Sequence, residues 1–190
     1  MVASQSKRYT PAEYLEREEQ AETKSELIQG EIIAMAGASA NHNRISVNFC
    51  RLFPLDNGNQ QYEIFMGDMR LWIPTYDSYT YPDVLAVSAS PQFTDDKQTA
   101  LTNPCLIVEV LSASTAIYDK TDKFRLYRSI PEFEEYLLID QTAYCVEQYT
   151  KVGQNQWLMT EVLGQHEALV LQTVQVEMKL TDLYKRVKFE

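Results

Sequence analysis

Asp83, in Tyr81-Pro82-Asp83-Val84, and Glu109, in Leu106-Ile107-Val108-Glu109-Val110-Leu111, are the residues of this sequence best suited to chemistry. Each lies in an apolar, β-branched run that reads as a buried strand. An ionised carboxylate is rarely tolerated there without a partner, because desolvating an unpaired charge is very costly. The two acids are 26 residues apart, enough for a strand end, a polar loop over 88–103 and a return strand. If those strands are neighbours, the carboxylates converge. At about 4 Å and an effective dielectric near 20, two unit charges repel by about 4 kcal/mol. Such a pair either keeps a proton or takes up a cation. Hard oxygen donors suit Mg²⁺ or Mn²⁺ better than zinc. The alternative is that each acid pairs separately with an Arg or Lys, and the presence of both acids in apolar strands favours the metal.

The elements that must position these acids can be read from capping and periodicity. Thr10-Pro11-Ala12-Glu13 combines an N-cap, a proline at the first helical position and a capping-box glutamate, so a short helix is expected to about residue 20. Residues 26–36 alternate and then run apolar, with Gln29-Gly30 as a tight hairpin turn. Over 39–53, Ile45, Phe49, Leu52 and Phe53 recur at helical spacing, and Pro54 with Asp56-Asn57-Gly58-Asn59 ends the helix. Strands are expected over 62–66, 69–73, 84–87 and 106–111. A second amphipathic helix over 119–129 presents Phe124, Tyr127 and Ile130 to the core, and a further strand follows at 135–139. That strand-helix-strand unit predicts a parallel or mixed central sheet. Short strands fill 144–178, and a terminal helical turn is expected at 181–186. The fold class is α/β (α+β), and residues 1–190 read as one domain without repeat or linker.

Composition narrows the function classes. An apolar share of 45% and 11% aromatics are those of a globular chain. No apolar run reaches the roughly 20 residues that span a bilayer, and the first ten residues lack the apolar core of a signal peptide. A cytoplasmic protein is expected. Cys50, Cys105 and Cys145 are odd in number and lack Cys-x-x-Cys spacing, so they read as reduced thiols in apolar surroundings. The net charge of −10 opposes nucleic-acid binding unless cations or a local basic patch offset it.

Several blocks occur in order: Glu26-Leu27-Ile28-Gln29-Gly30-Glu31-Ile32, Ala38-Ser39-Ala40-Asn41-His42-Asn43-Arg44-Ile45, Gly67-Asp68-Met69-Arg70-Leu71 and Tyr81-Pro82-Asp83-Val84. Val108-Glu109-Val110-Leu111-Ser112-Ala113-Ser114-Thr115 and Tyr118-Asp119-Lys120 follow, continuing to Tyr127. Over residues 26–149 the chain resembles a large bacterial family of restriction-endonuclease-like proteins, the Uma type, within the PD-(D/E)XK nuclease superfamily. The resemblance implies a mixed β-sheet flanked by helices and a Mg²⁺- or Mn²⁺-dependent site that cleaves phosphodiester bonds, with DNA as substrate. Asp83 matches the first acid of the pattern and Glu109 the second, and the backbone carbonyl of Val110 would join them at the metal. The lysine expected two residues after the second acid is replaced by Leu111. Lys123, on the following helix, could return an ammonium to that place, with Lys120 as the weaker candidate. Glu31 could supply a third carboxylate.

Each candidate has a bland reading as well. Lys120 and Lys123 could lie on a solvated helix face, and Glu31 could be solvent-facing after its turn. His42 shares the inward face of Ile45 and Phe49, where a histidine is more often a hydrogen-bonded core residue than a ligand, though it could instead contact the site from the start of the helix. His166 reads as exposed. Asp68 could wall the site or serve its turn, and Ser112, Ser114 and Thr115 read as capping residues. Tyr76, Tyr79 and Tyr81 could stack on bases but fit packing or an interface equally well. The competing function is a non-catalytic nuclease-fold protein acting in binding or homo-oligomeric assembly, favoured by Leu111 and the acidic charge. A homodimer through the C-terminal third is compatible with either.

Overall fold

The computed structural model describes residues 7–189. The first helix, α1 (Pro11–Glu18), opens on the expected capping box: the Thr10 hydroxyl accepts from the Glu13 amide and the Glu13 carboxylate accepts from the Thr10 amide. Strands β1 (Ser25–Ile28) and β2 (Glu31–Ala34) form the hairpin. Its turn residues Gln29 and Gly30 hold φ of 49° and 90°, the two positive values that a type I′ turn needs. Helix α2 (Ala40–Leu52) begins on Ser39, whose hydroxyl accepts from the His42 amide. There follow β3 (Asp56–Asn57), β4 (Gln60–Met66), β5 (Arg70–Ile73), β6 (Ser78–Thr80), β7 (Val84–Ser88), β8 (Ala100–Leu101) and β9 (Leu106–Leu111). A helical run comprises α3 (Ala116–Tyr118), a π-helical turn at Asp119–Lys123 and α4 (Phe124–Tyr127). The chain continues through β10 (Glu135–Asp140), β11 (Cys145–Gly153), β12 (Gln156–Leu163), β13 (Ala168–Leu171), β14 (Val176–Lys179) and α5 (Leu180–Leu183).

A mixed seven-stranded sheet in the order β12-β11-β10-β9-β7-β4-β3 is the frame of the molecule. β9 and β10 are parallel, as the strand-helix-strand reading required, and β7 runs antiparallel beside β9. A five-stranded sheet, β2-β1-β6-β5-β8, and the β13-β14 ribbon complete the architecture. This is the α+β arrangement, a mixed sheet flanked by helices, that the sequence led us to expect. Two details differ. The polar loop over 88–103 contains β8, which pairs with β5, and the second helix starts at Ala116, three residues earlier than its periodicity indicated.

Alternation along β9 sorts its residues between two apolar layers. Leu106, Val108 and Val110 meet Ile45 and Phe49 of α2 on one face. Ile107 and Leu111 meet Phe124, Leu126 and Tyr127 of the helical run on the other. Glu109 has the parity of the second layer and is only 3% exposed. The two helices are therefore clamped to opposite faces of one strand, and both reach toward its C-terminal end. Among the described residues, no helix is long and apolar enough to cross a membrane.

Phe49 is fully buried in the layer that seats α2. Its replacement by Ala is expected to cost about 3–5 kcal/mol, as deletion of a buried ring usually does. Urea unfolding would show this as a lower midpoint with unchanged slope.

Candidate active site

The register between β7 and β9 brings the two acids together. Val84 lies opposite Val108, Leu85 opposite Ile107 and Ala86 opposite Leu106, and Asp83, half-buried in the bend just before β7, is thereby carried to the C-terminal end of β9. Both acids line a cleft of about 610 Å³. Asp83 Oδ2 accepts from the Val110 amide at 2.7 Å and lies 2.9 Å from His42 Nε2. Glu109 Oε1 accepts from the Tyr127 hydroxyl at 2.8 Å and from Lys123 Nζ at 3.0 Å. All of these contacts fall on one oxygen of each carboxylate, and the second oxygens, Asp83 Oδ1 and Glu109 Oε2, take no hydrogen bond from the described residues.

Lys123 is the hub of the cleft. Its ammonium lies 3.0 Å from Glu109 Oε1, 3.2 Å from Glu26 Oε1 and 3.4 Å from Asp119 Oδ1. The ring of Tyr118 approaches it from a fourth side, with its centroid 5.5 Å away. The π-helical turn carries both Asp119 and Lys123 and leaves both side chains buried toward the cleft. Single π turns inside α-helices recur at functional sites, because the wider turn re-aims side chains that an α turn would point elsewhere. Glu26 is fixed by the Tyr81 amide at 3.0 Å. Leu111 packs in the apolar layer under the helical run, on the same strand face as Glu109. Lys123, on the helix above that face, brings an ammonium to Glu109.

The charges in the cleft do not balance. Four carboxylates, Glu26, Asp83, Glu109 and Asp119, face one lysine and one histidine. Burial raises the Glu109 pKa well above the usual carboxylate range; Lys123 opposes the shift, while Asp119, Asp83 and Glu26 add to it. Asp119 is raised by burial as well, against Lys123 and a hydrogen bond from Thr115. For Lys123, burial disfavours the ammonium, yet Glu109, Glu26 and Asp119 outweigh it and hold the group above the usual lysine range. The lysine stays charged and the acids compete for protons or cations. Among the described residues, no three His, Cys, Asp or Glu side chains form a ready-made metal cage. Mg²⁺ needs none, since one or two carboxylates, waters and a substrate phosphate commonly complete its shell. The surplus negative charge and the spare oxygens of Asp83 and Glu109 fit such an ion.

Several other predicted positions fall outside the cleft. Glu31 is exposed at the start of β2, one register step from the turn, and the hairpin contributes Glu26 instead. Lys120 points away to Glu147, at 2.5 Å. Asp68 is exposed and pairs with Lys24. His166 is exposed. Tyr79 is buried against Tyr14 and Trp72, and Tyr81 is buried with its hydroxyl donating to Glu18 at 3.1 Å. Of the three tyrosines, only Tyr81 lines the cleft. His42 reaches Asp83 from the first turn of α2, so it orients a carboxylate rather than filling the core. Glu26 and Asp119 were missed by the sequence reading. The signal for Glu26 was present, because Ser25-Glu26-Leu27-Ile28 is another acid in an apolar run.

Two outcomes follow from this charge balance. Lys123→Met leaves three acids without their cation and is expected to cost about 3–5 kcal/mol, read by urea unfolding. Because Glu109 titrates above its unfolded value of 4.5, the native state binds more protons than the unfolded chain between those two values. Its stabilising contribution is present below that pH and is lost as pH rises through the raised value. Glu109→Gln should therefore gain on wild type as pH climbs above 4.5, read as the difference between their melting temperatures.

Comparison with known proteins places this geometry. A crystal structure from Anabaena variabilis ATCC 29413, described as a "putative nuclease belonging to DUF820", superposes with a TM-score of 0.69 at 18% identity, over 93% of this chain and 97% of that one. It has the same fold. Two proteins of Synechocystis sp., both named only as uncharacterized, are similar in sequence. One is 60% identical over 87% of this chain and 94% of its own length, and the other 38% identical over 95% and 93%. The model of the Uma2 family, described as "putative restriction endonuclease", matches residues 11–182, and the chain belongs to that family.

Proposed function

We propose that the cleft hydrolyses phosphodiester bonds of nucleic acid, DNA by analogy with the nuclease superfamily, using one or two Mg²⁺ (or Mn²⁺) ions held by Asp83, Glu109 and the Val110 carbonyl. The observation that supports this most directly is the convergence of Asp83 and Glu109 in one cleft, with Lys123 hydrogen-bonded to Glu109. A bound divalent ion supplies neutralisation of the scissile phosphate and a water of lowered pKa. The remaining work belongs to side chains of this chain. His42 and the Val110 amide fix Asp83 through Oδ2, and Tyr127 and Lys123 fix Glu109 through Oε1. Lys123 keeps a permanent positive charge where negative charge would develop on the phosphoryl oxygens, and it can orient the attacking water. Burial of that charge matters, because a donor held in a dry site needs little reorganisation as the charge forms.

A second reading, a non-catalytic protein that keeps the nuclease fold for homo-oligomeric assembly, draws on β12. That edge strand exposes Leu158, Met159 and Leu163, and such edges invite pairing with another chain. The cytoplasmic placement rests on three free cysteines, which suit a reducing compartment.

Titration calorimetry of Mg²⁺ and Mn²⁺, paired with plasmid nicking, separates these readings. Wild type is expected to bind metal and nick, and Asp83→Ala to lose both. Lys123→Gln should keep metal binding while nicking falls by about a hundredfold to a thousandfold. Metal bound by wild type without nicking would favour the assembly reading, and sedimentation would then look for a dimer. No binding of either ion would sink the metal site.

A further inference from the structure

We propose that a second pocket, on the far side of the helical run from the cleft, binds a nucleoside phosphate, either free or as the 5′-phosphorylated end of a strand. The pocket measures about 400 Å³ and shares no lining residue with the cleft. Arg125, Arg128, Trp157, Tyr76, Ser129 and Asn155 line it. Not one of them is acidic, in a chain with 27 acidic and 17 basic residues. A basic, aromatic hollow is the reverse of what the composition would scatter at random over this surface.

The two guanidiniums are placed by the same helix that places Lys123. Two and five residues beyond it, at about 100° per residue, Arg125 and Arg128 fall on the opposite side of the helix and, three apart, beside each other. Both are exposed. Each lies over an aromatic ring: Arg125 Cζ is 5.5 Å from the Tyr76 centroid and Arg128 Cζ is 4.8 Å from the Phe124 centroid. A stacked guanidinium keeps its N–H donors at its edge, where a phosphate can take two at once. The acid paired with Arg125 is Asp122, 3.8 Å away with both side chains largely in solvent, and such a pair is weak. Trp157 is wedged against Phe124 and Phe133, with centroids 5.2 and 5.1 Å away, so its indole is held rather than swinging free. Rigid aromatic surface beside paired guanidiniums matches a ligand with a planar ring at one end and a phosphate at the other. An inorganic anion would use the arginines alone, and an apolar ligand would leave them unmatched. The volume lies within the range of small-molecule pockets. This inference does not depend on the cleft being a nuclease.

The test uses the whole chain in EDTA, so that no divalent ion can hold a phosphate in the cleft. Adenosine monophosphate, adenosine, inorganic phosphate and a short 5′-phosphorylated oligonucleotide with its unphosphorylated twin are titrated by calorimetry. Wild type and Asp83→Ala are expected to bind adenosine monophosphate equally, and Arg125→Gln/Arg128→Gln to bind it at least tenfold more weakly at unchanged melting temperature. Trp157→Leu should weaken the nucleotide while leaving inorganic phosphate unaffected. If only the phosphorylated oligonucleotide binds, the ligand is a strand end; if the free nucleotide also binds, it is the nucleotide. The proposal is overturned if neither binds, if phosphate binds as tightly as the nucleotide, or if Asp83→Ala rather than the arginine pair abolishes binding. Nicking by wild type tests the cleft separately, so failure of one idea leaves the other standing.

Discussion

The ammonium of Lys123, buried among Glu26, Glu109 and Asp119, ties together three separate elements of the chain. Glu26 comes from the N-terminal hairpin, Glu109 from the central strand and Asp119 from the helical run. Removing such a charge from water is costly, and only several close carboxylates in good geometry offset the loss. The same arrangement sets three carboxyl groups around one ammonium, with Asp83 as a fourth acid in the cleft. The cluster is thus tight enough to hold the helix on the sheet and yet remains short of positive charge. That shortage is what the proposed divalent ion would offset.

Strand β9 transmits the constraint. Its even-numbered residues bury against α2 and its odd-numbered residues against the helical run, so neither helix can shift without disturbing one acid. α2 brings His42 to Asp83, and the π-helical turn brings Lys123 to Glu109. An apolar residue at Leu111 then makes sense, since the volume a lysine would need on that strand face is filled by the packed helix.

Electrostatics on the larger scale point the same way. A chain of net charge −10 repels a polyanion at long range, so nucleic acid must be held by local features. Divalent ions in the cleft would provide one such feature. The two stacked arginines behind the helix provide another, and both are organised by the helical run over 116–127.

What the sequence determined by itself was local. The capping box at Thr10, the Gln29-Gly30 turn, the strand runs and the pair of buried acids depend on neighbours a few residues away, and short-range periodicity records them. The choice of Lys123 over Lys120, of Glu26 over Glu31, and of His42 as the partner of Asp83 was left to the tertiary structure. Each depends on the register between strands far apart in the chain, and a slip of one residue would turn every side chain to the other face. The π-helical turn adds to this, because it moves Asp119 and Lys123 off the positions a regular helix would give them. Sequence spacing therefore identified the acids, and only the assembled sheet and helices decided which charges they meet.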